Sequence, residues 1–159
     1  MNAIEMLKQQ HREAERLFER LAEAPDDEQR TVFLELADAL TVHALIEERH
    51  FYPAVREQRT AAIVEEALTE HLQMKSLIAR LIDTEAGTDE WTMLCDALKT
   101  EVLSHVEEEE GVLFPEVEKI MDSARLDEIG AQMEATAAEL ESEGVPHEQI
   151  RVEVEAPNV

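Results

Sequence analysis

One helical pattern occurs twice in this sequence, and the repeat limits the possible folds more than any other feature. Residues 41–55 read TVHALIEERHFYPAV and align with residues 103–117, which read LSHVEEEEGVLFPEV. Each copy has a His, a Glu four residues later and a Pro ten residues later, and a further His lies upstream of each copy, at His11 and at His71. The repeat predicts a duplicated helical hairpin, in which the first helix contributes one His and the second helix a His-x-x-x-Glu pair.

Apolar residues recur at helical spacing along almost the whole chain. The sequence has only 4 Gly and 5 Pro, and the helical segments stop near Pro25, Pro53, Gly87 and Gly144, while Pro115 is expected to kink a helix rather than end it. Four helices joined by short connections most simply form an up-down-up-down bundle. The sequence therefore predicts an all-α fold, an up-down-up-down four-helix bundle followed by an additional C-terminal helix.

The predicted organisation has three parts. Residues 1–121 form the bundle, residues 122–143 form the additional helix, and residues 144–159 form a polar tail. We expect the tail to be mobile or to serve as an interface strand, since residues 151–155 alternate as a strand does. The apolar stripe of the additional helix could pair two chains as a homodimer.

Charge and composition exclude several function classes. The net charge of −24, from 14 Lys and Arg against 38 Asp and Glu, rules out sequence-independent binding to nucleic acid, because that needs a basic surface. It also argues against docking on an anionic membrane, and no apolar stretch is long enough to span a bilayer. The first residues lack a secretory signal, and Cys95 is the only cysteine. We therefore expect a cytoplasmic protein without an intrachain disulfide.

The repeated His and Glu residues predict a metal site. An i, i+4 pair lies on one helix face, so the bundle interior would receive four imidazoles and two carboxylates. Unpaired carboxylates in a core cost several kcal/mol each, whereas two divalent ions would each take two imidazoles and be bridged by the carboxylates. Mixed imidazole and carboxylate ligation suits iron, manganese or zinc. The six predicted metal-binding residues are His11, His43, Glu47, His71, His105 and Glu109.

Over roughly residues 3–121, these motifs make the chain similar to the hemerythrin-like, His-His-Glu cation-binding domains. The resemblance implies a four-helix bundle around a non-haem di-iron centre, with two iron ions as the cofactor and manganese or zinc as substitutes. It also implies that the four histidines above are iron ligands and that Glu47 and Glu109 bridge the irons. The family binds dioxygen, senses oxygen or iron, or handles nitric oxide and peroxide.

The chain departs from oxygen-carrying hemerythrins at two places. Those proteins have a second His one turn after the third-helix His, where this chain has Lys75. They also have an Asp five residues after the fourth-helix His, whereas this chain has Glu109 four residues after it. Two residues are candidates for the missing ligand. Glu15 fills the missing coordination position, pairs with Lys75 or is an exposed helix residue. His50 is either a replacement ligand or a partly exposed His near a helix end. In the run from Glu107 to Glu110, only Glu109 is predicted to face inward.

The leading hypothesis is a non-haem di-iron protein that binds, senses or reacts with a small oxidant, its partner being a diatomic or peroxide ligand. The sequence assigns no catalytic residue, because no pattern for covalent catalysis is present. One alternative is a ferritin-like iron oxidase or storage protein, which uses Glu-x-x-His motifs and finds one here, in Glu47 and His50. Another is a metal-free helical interaction module, which must explain two buried carboxylates without cations.

Overall fold

The structure, a computed structural model, describes residues 1–150, and every regular element within them is helical. The helices are α1 (Ala3–Glu23), α2 (Asp26–Ile46), α3 (Tyr52–Val55), α4 (Ala61–Ile82), α5 (Asp89–Glu108), α6 (Phe114–Ile120) and α7 (Ser123–Ser142). The predicted all-α fold is therefore confirmed. In the same 150 residues, no helix combines the length and apolar character that a membrane crossing requires.

Local sequence signals set the helix ends. Helix α1 begins with a capping box, in which Asn2 accepts a hydrogen bond from the backbone N–H of Glu5 and the Glu5 side chain accepts one from Asn2. The side chain of Thr88 caps α5 by accepting a hydrogen bond from the backbone N–H of Trp91. Gly87, before α5, and Gly144, after α7, have positive φ values of 87° and 101°, which glycine adopts without steric cost.

Four of the helices contact one another in a closed ring. Helix α1 packs on α2 and α5, and α4 packs on α2 and α5. The up-down-up-down order of these helices stays a prediction of the sequence. Two apolar clusters fill the interior, one including Leu7, Ile46 and Phe114 and the other including Phe33 and Leu98. The predicted metal-binding residues belong to neither cluster, so the polar groups lie in a buried layer of their own.

Both helices that carry a His-x-x-x-Glu pair widen into a π-helical turn that begins at the Glu. The first turn is Glu47–Phe51, between α2 and α3, and the second is Glu109–Leu113, between α5 and α6. Each turn is followed by a Pro at the start of the next helix, at Pro53 and at Pro115. Proline has no N–H to donate and its ring clashes with the carbonyl four residues earlier, so a locally wider turn accommodates it. The sequence predicted the interruptions but not the π turns.

Helix α7 covers one side of the bundle, packing on α1 and α2. Its apolar residues, including Leu126, Ile129 and Met133, are buried within the chain. Gly130 lies against the N-terminus so closely that a Cβ there would be 2.3 Å from the carbonyl oxygen of Met1. The homodimer through this helix stays a prediction, and the apolar stripe that prompted it is already covered by the chain's own helices.

The segment after α7 returns to the bundle. We expected residues 144–159 to be a mobile tail or an interface strand, but residues 144–150 pack against the bundle. The side chain of Ile150 is 1% exposed and belongs to the core cluster of Phe33 and Leu98. The backbone N–H of His147 donates to Asp38 at 2.9 Å, and its ring contacts the same carboxylate at 2.8 Å. The predicted strand at residues 151–155 lies outside the described residues.

Candidate metal centre

The structure brings all six predicted residues together in the buried polar layer. The four helices of the ring, α1, α2, α4 and α5, supply one histidine each, and the two glutamates are the first residues of the two π turns. None of the six residues exposes more than 7% of its surface. We call this group the His/Glu cluster; it consists of His11, His43, Glu47, His71, His105 and Glu109.

The four histidines form two pairs, one from each hairpin. The rings of His11 and His43, the first-half pair, have centroids 4.9 Å apart, and the rings of His71 and His105, the second-half pair, have centroids 4.8 Å apart. Both pairs meet at an interplanar angle of 63°. In the second-half pair, the two Nε2 atoms approach to 3.2 Å. The internal repeat is therefore preserved in three dimensions, and each half offers two imidazole nitrogens to the interior.

The carboxylate of Glu47 lies between the two pairs. Its Oε1 is 2.9 Å from Nε2 of His43, in the first half, and 3.2 Å from Nε2 of His71, in the second. This oxygen contacts one histidine of each half, and a ligand that bridged two ions would occupy a similar position.

Glu109 has the equivalent position from the other side. Its Oε1 is 3.1 Å from Nε2 of His11 and 3.3 Å from Nε2 of His105. Ligand atoms of the two His-x-x-x-Glu pairs all lie within 4.8 Å of one another, which is close enough for a shared cation. The two carboxylates and the four rings together make a donor set that could hold metal.

Several buried atoms of the cluster lack a hydrogen-bond partner. Both carboxylate oxygens of Glu47 and Nε2 of His43 are buried without one, although Glu47 Oε1 and His43 Nε2 are only 2.9 Å apart. A buried polar atom without a partner costs about 1–3 kcal/mol. A cation between these atoms would satisfy all of them, so the donor set fits a metal.

Each histidine of the cluster is held from outside through its Nδ1. The Nδ1 atom of His11 is 2.6 Å from Glu110, and that of His43 is 2.7 Å from Gln10. The Nδ1 atom of His71 is 2.8 Å from Glu48, and that of His105 is 2.8 Å from Glu70. An acceptor at Nδ1 fixes the tautomer with the proton there, which leaves the Nε2 lone pair free for a metal. The outer acceptors are Gln10, Glu48, Glu70 and Glu110.

The sequence analysis missed these outer acceptors. We expected Glu110 to belong to a solvated face, and this was wrong, because its carboxylate contacts His11 and pairs with Arg12. The sequence did carry a signal: Gln10 and Glu70 directly precede the two first-helix histidines, and Glu48 and Glu110 directly follow the cluster carboxylates.

Tyr52 is a further residue of the site that the sequence analysis did not single out. Its hydroxyl donates to Oε2 of Glu109 at 2.7 Å and lies 3.1 Å from Nε2 of His71. Burial, together with the negative charges of Glu47 and Glu109, raises the pKa of this phenol well above its ordinary value. The repeat places Phe114 at the same position in the other half, where its ring stacks on His11 with centroids 5.9 Å apart.

Neither candidate for an additional ligand joins the cluster. Glu15 pairs with Arg12 at 3.5 Å on the surface, and the ring of His50 is 2.7 Å from the hydroxyl of Thr136 on α7. Lys75 is buried, with 4% of its surface exposed, and its ammonium donates to Glu48 at 2.8 Å. Lys75 is therefore linked through that carboxylate to a cluster histidine.

A small cavity is lined by all four histidines of the cluster. Its volume is about 20 Å³, which is room for roughly one water-sized molecule. Besides the histidines, its polar lining consists of Gln10 and Lys75, and the remaining walls are apolar, including Met74, Val102 and Ile150. The cavity size excludes an organic substrate at this position.

In the metal-free protein, burial and the charges of the cluster act in opposite directions on the pKa values of its residues. Burial by itself lowers the pKa values of His11, His71 and His105, but hydrogen bonds and charges from the cluster carboxylates outweigh burial and leave all three pKa values raised. Burial likewise raises the pKa of Glu47, but the charge of His43, 2.9 Å away, and the other polar groups of the cluster bring it well below its ordinary value. Protons and metal ions therefore compete for the same atoms.

A helical bundle with a buried His/Glu layer able to hold metal defines a class of metal-binding protein, and comparison with known families agrees with that class. Residues 2–117 match the hemerythrin HHE cation-binding domain. Since the match covers most of the chain, the protein belongs to this family.

Similar proteins cover most of the chain. Uncharacterized proteins of Mycobacterium tuberculosis and Mycobacterium bovis are each 27% identical over 143 residues, which is 88% of this chain and 88% of theirs. A DNA nickase of Nostoc is 24% identical over 142 residues, and the chain spans only 40% of the length of that relative. A crystal structure of a hemerythrin HHE cation-binding domain-containing protein from Mycobacterium kansasii superposes with a TM-score of 0.76 and 27% identity, over 95% of this chain and 98% of that one.

Proposed function

We propose that this chain is a cytoplasmic di-iron protein in which the six residues of the His/Glu cluster are the metal ligands. The observation that carries the proposal is the position of the two carboxylates. Glu47 Oε1 and Glu109 Oε1 each lie within 3.3 Å of one histidine from each half. One ion would bind the first-half pair, the other would bind the second-half pair, and both carboxylates would bridge them. Manganese or zinc could occupy the same donor set.

The proposed ligand is a small oxidant: dioxygen, nitric oxide or peroxide. The 20 Å³ cavity beside the histidines supports this proposal, because its size suits a very small molecule and not an organic substrate. Bound iron would supply the redox chemistry toward that molecule. The apolar walls around the cavity limit the entry of water, and a drier site strengthens the electrostatic interactions within it.

The chain's own residues would orient the ligands and hold protons near them. The outer acceptors keep each imidazole in one tautomer and one orientation, with Nε2 directed inward. The phenol of Tyr52 holds a proton 2.7 Å from Oε2 of Glu109 and 3.1 Å from Nε2 of His71. Tyr52 is therefore the nearest hydroxyl that could donate a hydrogen bond within the cluster, and its oxygen could also serve as a donor to metal.

The two alternatives have less support. A ferritin-like oxidase would use Glu47 with His50, but the His50 ring contacts Thr136 on α7 instead of the cluster. A metal-free module would leave both oxygens of Glu47 buried without a hydrogen-bond partner.

The test is metal analysis combined with optical spectroscopy. Protein loaded anaerobically with Fe²⁺ should hold two irons per chain, and Glu47→Ala and His105→Ala should each lose iron. Glu107→Ala, on the exposed face of α5, is the matched control and should keep both irons. Addition of peroxide or dioxygen should then produce iron-dependent near-ultraviolet absorption. Stable folding with no bound metal under these conditions would contradict the proposal.

A further inference from the structure

The internal repeat relates the outer acceptors of the four histidines in two pairs. In one of these pairs, both halves of the repeat have a glutamate. Glu110 accepts from the first-helix histidine of the first half at 2.6 Å, and Glu48 accepts from that of the second half at 2.8 Å. Each of these carboxylates also pairs with a cation, Arg12 for Glu110 and Lys75 for Glu48. The first-helix histidines therefore have chemically similar support in both halves.

The other pair of acceptors is unmatched. Gln10 contacts the ring of His43 through its amide oxygen at 2.7 Å, whereas Glu70, at the same place in the repeat, contacts the ring of His105 through a carboxylate oxygen at 2.8 Å. Within residues 1–150, the ion pairs of Glu70 include no Lys or Arg. A charged acceptor polarises the imidazole N–H more than a neutral amide does, and it raises the basicity of the opposite ring nitrogen. The second-half pair is therefore the stronger donor pair.

The aromatic residues that directly follow the two π turns, Tyr52 and Phe114, also favour the second half as the richer in donor atoms. Tyr52 brings its hydroxyl oxygen to 3.1 Å from Nε2 of His71, in the second half. Its repeat mate, Phe114, offers only an apolar ring to His11, in the first half. The second half thus has one more oxygen near its histidines and one more charged acceptor behind them.

We propose that Gln10 and Glu70 make the two metal positions unequal, with the second-half pair binding its ion more tightly and the first-half pair holding the exchangeable ion. This inference rests on the proposed function, since it assumes that the His/Glu cluster holds two ions. Gln10 and Glu70 are positioning residues here, because each acts through a histidine and neither reaches the cluster interior.

The test is a titration of the metal-free protein with Co²⁺ against a competing chelator, read by visible absorption. The wild-type protein should bind two ions in two resolved steps. Gln10→Glu should strengthen the weaker step by about tenfold, and Glu70→Gln should weaken the tighter step by about tenfold or more. In the protein with both substitutions, the first-half position should bind its ion more tightly than the second-half position, and the titration should still show two steps.

Two matched controls separate this effect from general charge attraction. Gln9→Glu adds the same charge on an exposed neighbouring position, and Glu107→Gln removes the same charge from an exposed position of α5. Both should leave the two affinities within about twofold of wild type, since neither side chain contacts a cluster histidine.

The outcomes distinguish this inference from the proposed function. Two equal steps, or two steps that neither Gln10→Glu nor Glu70→Gln changes, would overturn the inequality and leave the two-ion centre standing. Equal effects of the controls and the test variants would overturn the role of the histidine contacts. A protein that binds no Co²⁺ would overturn both proposals. If one variant failed to fold by circular dichroism, the other would still test its own step.

Discussion

The hydroxyl of Tyr52 donates a 2.7 Å hydrogen bond to Oε2 of Glu109, which joins the end of one hairpin to the metal-binding helix of the other. The same carboxylate directs its Oε1 toward the histidines, at 3.1 Å from His11. Tyr52 therefore fixes which oxygen of Glu109 faces the cluster interior, and the contact connects the two halves of the repeat.

Replacing Tyr52 by Phe should lower the free energy of unfolding of the metal-free protein by about 1–3 kcal/mol, because Oε2 of Glu109 would lose its buried donor. The measurement is urea unfolding of chelator-treated protein. Thr136→Val, which removes the hydroxyl that contacts His50 outside the cluster, is the control. It should have a similar effect on stability but leave the near-ultraviolet spectrum of the iron-loaded protein unchanged, whereas Tyr52→Phe should alter that spectrum. An unaltered spectrum in both variants would show that the phenol does not influence the metal centre.

Metal-free protein should have a stability maximum at mildly acid pH. The raised pKa values of three cluster histidines stabilise the fold below their ordinary value of 6.5, and this stabilisation is lost as the pH rises through the raised values. The lowered pKa of Glu47 stabilises the fold above 4.5, and this contribution is lost as the pH falls toward the folded value. The maximum should therefore lie between 4.5 and 6.5.

Metal-loaded protein should behave differently on the alkaline side. Metal ions take the place of the protons, so its melting temperature should stay level as the pH rises and should fall only in acid, where protons displace the metal. Thermal melting of both forms between about pH 5 and about pH 9 tests this difference. Metal-free protein that gained stability steadily from pH 6.5 upward would contradict the assignment of protonated histidines.

Substituting Glu47 by Gln should have opposite effects on the two forms. At alkaline pH, where the histidines lose their protons, the metal-free variant should be more stable than wild type, since a buried carboxylate without a hydrogen-bond partner is removed. The same variant should bind metal about 10- to 100-fold more weakly, because a bridging charge is lost. Glu107→Gln, on an exposed position of α5, should change neither property. Weaker folding of the metal-free Glu47→Gln protein at alkaline pH would indicate that Glu47 has a structural role instead.

Replacing Lys75 by Met should destabilise the protein by about 1–3 kcal/mol, since Glu48 would lose the ammonium that donates to it at 2.8 Å. Because Glu48 also supports His71, the variant should in addition change metal affinity in the second half. Lys99→Met, on an exposed position of α5, is the matched control and should shift stability by less than about 0.5 kcal/mol. Equal unfolding curves for the two variants would show that the buried ion pair has no net effect.

The fold class and the six cluster residues could be predicted because they depend on local periodicity. A residue three or four positions from another lies on the same helix face whatever surrounds the helix, so the His-x-x-x-Glu spacing fixed the direction of His43 and Glu47 before any packing was known. The internal repeat then indicated that His11 and His71 would face the same layer. The breaks between helices near Gly87 and after α7 at Gly144 followed for the same reason, since the backbone conformation of these glycines is a local property.

The sequence by itself determined which side chains share a helix face, whereas the tertiary structure decided which of them meet across the bundle. The contacts of Tyr52 with Glu109, of His11 with Glu110 and of His50 with Thr136 join residues 57, 99 and 86 positions apart. Similarly, the burial of Ile150 depends on a surface formed by helices far earlier in the chain, so a polar segment that reads as a tail still packs there. Such contacts depend on helix rotation and the widening of the π turns, which are set by packing across the whole bundle and not by the spacing of residues along one helix.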